Sequence, residues 1–211
     1  MLPDPELTET TPASSAHDRL LEAAKRLFAT KGYEKTSTNA IARLAGTSES
    51  QLIKHFGSKD GLLGAIFDQG WGRIRRGIPD LSVYPTASER LNKLLEAVLL
   101  GLDRDEDLKE LMMLEGRRVR REGGIVLTPG YLDLVKTVDA ILGEMQNEGQ
   151  LRADVNIEAV RSALMGSVEG LLRDQVLSRR SGYPATYSNE AVRYVFSTVL
   201  SAFMPPKLTQ E

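Results

Sequence analysis

Between residues 38 and 59 the sequence gathers the side chains from which nucleic-acid contacts are made. Gln51 carries an amide that can pair bidentately with an adenine edge, and Ile53 offers a surface for a thymine methyl. Ser50 is small enough to let its backbone approach closely. Lys54 and Lys59 are point charges suited to phosphate, a contact that positions rather than specifies. Thr38, Asn39 and Arg43 could hold a nucleic-acid backbone beside its groove. Glu49 could accept from cytosine, but its favoured reading is an acid at a helix N-terminus. His55 could contact bases or phosphates, or pack.

Two short helices must position these groups. Ser37 caps a first helix running to Ala45, with Ile41, Leu44 and Ala45 as its apolar face. Gly46 ends it, because a left-handed turn residue costs least as glycine. Ser48 caps the next helix, and Gln51 is placed to reach back and close a capping box. That helix is about two turns long, too short to stand alone. Leu52 and Phe56 pin one face of it and leave the polar residues outward. A short pinned helix with a free polar flank is how a helix-turn-helix presents its reading helix to a DNA groove.

The stretch over residues 19–63 resembles the N-terminal domain of the tetracycline-repressor (TetR) family of bacterial transcription regulators. The resemblance rests on RLLEAAKRLFATKGY (residues 19–33), Thr36, the Ile41-Ala42 pair, Ala45-Gly46 and LIKHFGSKDGLL (residues 52–63), with a weaker GQLRAD echo at residues 149–154. Four positions depart from the family pattern. Thr47 replaces a usual Val, Ser50 a Gly-like residue, and Ile53 and Lys54 occupy sites where tyrosines commonly hold phosphates. Lys54 is the expected substitute, and His55 matches a family position near the phosphates.

The net charge of −2 over 211 residues conceals a gradient. Residues 1–16 carry −3, residues 17–60 carry +3 and the remainder −2, so the basic excess lies in the helix-turn-helix region. The absence of cysteine excludes a disulfide scaffold and cysteine-based zinc or redox sites. The histidines, His17 and His55, stand in separate elements without metal-ligand spacing, so no metal and no cofactor is expected. No apolar run approaches a membrane span, and the acidic, Pro/Thr/Ser-rich N-terminus is unlike a signal peptide. A cytoplasmic protein is expected.

The expected fold is all-α, with about nine helices. A disordered tail spans residues 1–15, the helix-turn-helix domain 16–60, an effector-binding and dimerisation domain 61–204, and a second tail 205–211. The sixth helix is expected to run to about Glu122, followed by a loop over residues 123–130. Trp71, Met112, Met113, Met145 and Met165 could be ordinary core or line an adaptable apolar pocket. The family resemblance favours the pocket, since its members commonly bind small effectors within helices five to eight. The RRVRRE run reads mainly as a solvated helix end, with Arg117 the exception, one turn beyond Leu114. The last two helices carry apolar stripes that include Val160, Leu164, Val168 and Leu171, then Val192, Phe196 and Val199. Small residues Ala163, Gly166 and Gly170 sit among them, which suits a four-helix homodimer interface.

These features point to a homodimeric regulator of double-stranded DNA, most simply a repressor released from a near-palindromic site by a small molecule. An activator of the same fold, or an adaptor whose N-terminal module binds protein, are the alternatives. An enzyme is not expected: there is no cysteine, no G-x-G-x-x-G and no P-loop.

Overall fold

The computed structural model describes residues 15–116 and 127–206. Among them the fold is all-α: α1 (Ala16–Lys31), α2 (Thr38–Leu44), α3 (Glu49–Phe56), α4 (Lys59–Arg76), α5 (Ala87–Asp103), α6 (Glu106–Glu115), α7 (Pro129–Asn147), α8 (Ile157–Ser181) and α9 (Asn189–Ser201). A 3-10 turn, Leu81–Val83, lies between Pro79 and Pro85. The chain divides into two compact units, Met1–Leu63 and Gly64–Glu211. No helix of the described residues is long and apolar enough to cross a membrane.

In the first unit, Leu20, Ala24, Phe28, Ile41 and Leu52 are fully buried, joined by Leu62 and Leu63 from the start of α4. Burying a leucine contributes roughly 1.5–3 kcal/mol, so Leu52 alone accounts for much of what holds the eight-residue α3 in place. The α2 terminus closes as a Schellman motif: Gly46 takes φ 64°, Thr47 N–H donates to Ala42 O and Gly46 N–H to Arg43 O. Leu44 departs from the expected inward face and is 50% exposed, because it is the final helical residue before that turn. Ser48 Oγ accepts from Gln51 N–H at 3.3 Å, giving half of the expected capping box. The reciprocal box forms instead at Thr86 and Glu89, at the start of α5.

In the second unit, α5 contributes Leu91, Leu94, Leu99 and Leu102 to a core shared with Leu142, Met145, Leu164 and Val192. The expected extension of α6 to Glu122 lies outside the described residues beyond Gly116, as do the RRVRRE arginines. So do the N-terminal tail up to residue 14 and the last five residues of the C-terminal one. Helix α7 starts at Pro129, inside the expected loop, because proline suits a first helical turn that needs no N–H. Val160, Leu164, Val192 and Phe196 are buried within this unit, not displayed on a surface. The outward stripe of α8 consists of Ala159, Ala163 and Gly166, with Gly170 half-exposed.

Candidate nucleic-acid interface and ligand cavity

The reading helix is set by its neighbours. Arg19 of α1 donates from Nε to Ala45 O at 3.0 Å, tying the α2–α3 turn to the first helix. Leu52 points inward, while Ser48, Glu49, Ser50, Gln51, Ile53, Lys54 and His55 are exposed. Asn39 and Arg43 are exposed on α2, and Thr38 is half-buried. Thr38 Oγ1 donates to the Glu49 carboxylate, joining the two helices at their starts. That bond and the first-turn position of Glu49 support its structural reading over a base contact. Polar groups and one apolar side chain thus share a two-turn surface, the arrangement that direct readout requires.

Lys59 has a different environment from Lys54. Its ammonium donates to Tyr33 O at 3.0 Å and Thr36 O at 3.1 Å, and lies 4.3 Å from the Tyr33 ring centroid. Tyr33 OH also donates to Asp60, and the buried Thr36 hydroxyl donates to Gly32 O at 2.8 Å. Lys59 therefore locks the α1–α2 connection to the start of α4, so its expected role as a phosphate ligand gives way to this one. The two histidines, remote in sequence, meet around Phe56: the ring centroids of His17 and Phe56 are 4.9 Å apart, those of His17 and His55 5.7 Å. Asp18 beside them is held below the usual carboxylate range by the Ser15 hydroxyl and then by His17. Among the described residues no group of three or more His, Asp or Glu could hold a metal.

The second unit holds a cavity of about 190 Å³. Trp71, Met112, Met113 and Met165 line it, together with Phe67, Leu91, Leu94, Leu95, Val98, Tyr131 and Leu134. Met145 does not, being completely buried among the core leucines, and Arg117 lies outside the described residues. Val168 and Phe196, expected at a dimer interface, face the cavity, because the apolar stripes of α8 and α9 turn inward. Leu171 and Val199 are half-buried.

Among the lining residues that the sequence reading did not anticipate are Thr128 and Glu169. The only signal for Thr128 was the TPG triplet, which also suits an ordinary turn. In the structure Thr128 is the N-cap of α7, yet its hydroxyl makes no capping bond. Asp68 of α4 takes that role, its carboxylate accepting from Gly130 N–H while burial pushes its pKa up. Gly130 has no substitute there: a Cβ would lie 2.4 Å from Trp71 Cβ.

A sequence model of the bacterial regulatory proteins of the tetR family matches residues 20–66. The HTH-type transcriptional regulator YdgC of Bacillus subtilis is 24% identical over 191 residues, spanning 86% of this chain and 91% of its own length. The HTH-type transcriptional repressor AcnR of Corynebacterium glutamicum is 24% identical across 75% of this chain and 81% of its own. Among solved structures, the transcriptional regulator FadR of Bacillus subtilis, in complex with stearoyl-CoA, superposes with a TM-score of 0.70. That match covers 89% of this chain and 97% of FadR at 21% identity, which speaks for the fold. With the helix-turn-helix geometry in agreement, residues 20–66 form a helix-turn-helix DNA-binding domain of the tetR family, and the chain is similar over most of its length to HTH-type transcriptional regulators.

Proposed function

We propose that the chain is a homodimeric, ligand-responsive repressor that acts in the cytoplasm by binding DNA, without turnover. The observation that carries this reading is the exposed flank of α3, with Gln51, Ile53 and Lys54 outward and Leu52 fully buried behind them. Gln51 and Ile53 read base edges, Ser50 permits close approach, and Lys54 neutralises phosphate. Thr38, Asn39 and Arg43 steady the backbone. His55 supports the helix by packing with His17 and Phe56.

Two protomers join through the outward face of α8, where Ala159, Ala163, Gly166 and Gly170 allow close approach, flanked by Tyr194, which is 74% exposed. The two-fold axis sets the reading helices on successive major-groove faces, about 34 Å apart. A small molecule in the cavity shifts α4 through Trp71, and the spacing is lost. Such control requires the effector to bind the two states with different affinity.

Selection of bound duplexes from a random pool tests the reading. A near-palindromic site with half-sites one helical turn apart is expected, with affinity falling steeply as salt rises. A salt-insensitive association with protein alone would favour the adaptor alternative.

A further inference from the structure

Helix α4 runs without a break from Lys59 to Arg76, so one element begins in the first unit and continues in the second. Within the second unit it is approached closely at three positions, and each approach depends on a glycine. A Cβ at Gly130, in the first turn of α7, would lie 2.4 Å from Trp71 Cβ and 3.7 Å from Trp71 Cα. A Cβ at Gly101 of α5 would lie 2.9 Å from Ile74 Cγ1 and 3.4 Å from Ile74 Cβ. On α4 itself, a Cβ at Gly70 would lie 2.6 Å from both Leu108 methyls of α6 and 3.0 Å from Met112 Cε. Carbon atoms attract best at about 3.5–4.0 Å, so the shortest of these separations is deep in the repulsive range. Glycine inside a helix is less stable than alanine, and at Gly70 and Gly101 close packing offsets that deficit. Gly72, one position beyond Trp71, is the contrast: a Cβ there would meet only the Arg76 guanidinium, at 3.7 Å.

The ion pairs along this half of α4 fix its backbone less tightly. Arg73 meets Asp105 at 3.2 Å and Arg75 meets Asp133 at 3.6 Å, both through guanidinium groups open to solvent, where such pairs contribute little. Resting on the repressor reading above, we infer that Gly101 and Gly130 are positioning residues for DNA binding: they set the backbone distance of α4 from α5 and α7, and that distance sets operator affinity. On the repressor reading the seated form is the one that binds. Trp71 and Met112 belong both to this seat and to the cavity wall, which gives an effector its purchase on α4. Ile74 and Gly101 border a separate groove, so their contact can be altered while the cavity wall is left alone.

Variants of the full-length protein are measured against the duplex that the wild type recovers most often from the random pool, at a temperature where circular dichroism shows each to be folded. Gly72→Ala makes the same chemical change on α4 without a clash and is expected to hold operator affinity within about twofold. Gly101→Ala should weaken it about tenfold or more. Ile74→Ala removes the Cγ1 atom and leaves a 3.4 Å contact, so in that background the Gly101 substitution should change affinity by no more than about twofold. Gly130→Ala should weaken binding as well, and equally in the Trp71→Ala background, because alanine keeps the obstructing Cβ. Operator affinity indifferent to Gly101→Ala, an effect of that substitution that is the same with and without Ile74, or rescue of Gly130→Ala by Trp71→Ala would overturn the assignment. A substitution that is merely destabilising lowers the melting temperature and leaves the affinity of the folded protein alone. Tighter binding with the same pattern of rescue would support the seat and count against the repressor reading. Should the wild type select no duplex, the DNA reading fails and the seat is judged by fluorescence of Trp71, the single tryptophan. Its emission maximum should move further in Gly130→Ala than in Gly72→Ala, and an equal response in both would sink the seat itself.

Discussion

Lys54 and Lys59 differ in what surrounds their ammonium groups. Lys54 projects from an exposed helix face, whereas Lys59 is held by two carbonyls and a tyrosine ring. Lys54→Ala should therefore weaken DNA binding for every sequence tested, and lower the salt slope by about one, in gel shifts at graded salt. Lys59→Ala should act on folding instead. Losing charge-assisted bonds of about 1.5–3 kcal/mol in all should lower the urea midpoint of the N-terminal unit. Gln51→Ala belongs with the first but with a different signature. It should relax preference at one base position by about 1–3 kcal/mol, seen as a lost adenine when selected sites are sequenced. None of these distinctions follows from residue type, because a lysine's sequence context does not say which carbonyls will surround it.

At the level of elements, the start of α7 combines capping, charge and packing. Asp68 caps it from α4 with a carboxyl that burial has raised above its ordinary 3.8. Between that value and the raised one, the folded chain binds more protons than the unfolded chain, so this group's contribution to stability falls as pH rises. Asp68→Asn keeps an acceptor for Gly130 N–H and removes the partly desolvated charge. Melting temperatures across the acidic range should vary less with pH in this variant than in wild type. The helix-turn-helix was legible in the sequence because its determinants are local: Ser37 and Ser48 caps, Gly46 at the turn, and Leu52 at helical spacing. The orientation of α8 and α9 was not. An apolar stripe has the same period whether it meets its own core or a partner, and Val160, Leu164 and Phe196 proved to meet their own core. Thr128 was hidden for a related reason, since a threonine before Pro-Gly looks like a turn until the cavity behind it is seen.

For the whole molecule, the open outward face of α8 makes dimerisation testable without disturbing the protomer. A Cβ at Gly166 would meet nothing within 4 Å. Gly166→Glu should leave the melting behaviour of the protomer intact and gain helix propensity of about 0.5–1 kcal/mol. It should shift sedimentation from two chains to one and abolish operator binding with it. The contact between Gly130 and Trp71 has a further consequence, one that extends across the lineage. The atom that forbids a side chain opposite is the Trp71 Cβ, which every residue but glycine carries, so the constraint on position 130 outlasts the indole itself. Orthologues should therefore keep the glycine whether they retain the tryptophan or trade it for a slimmer residue. An unaccompanied loss of the tryptophan, traced through a phylogeny, would mark where the chamber has widened to admit a new inducer.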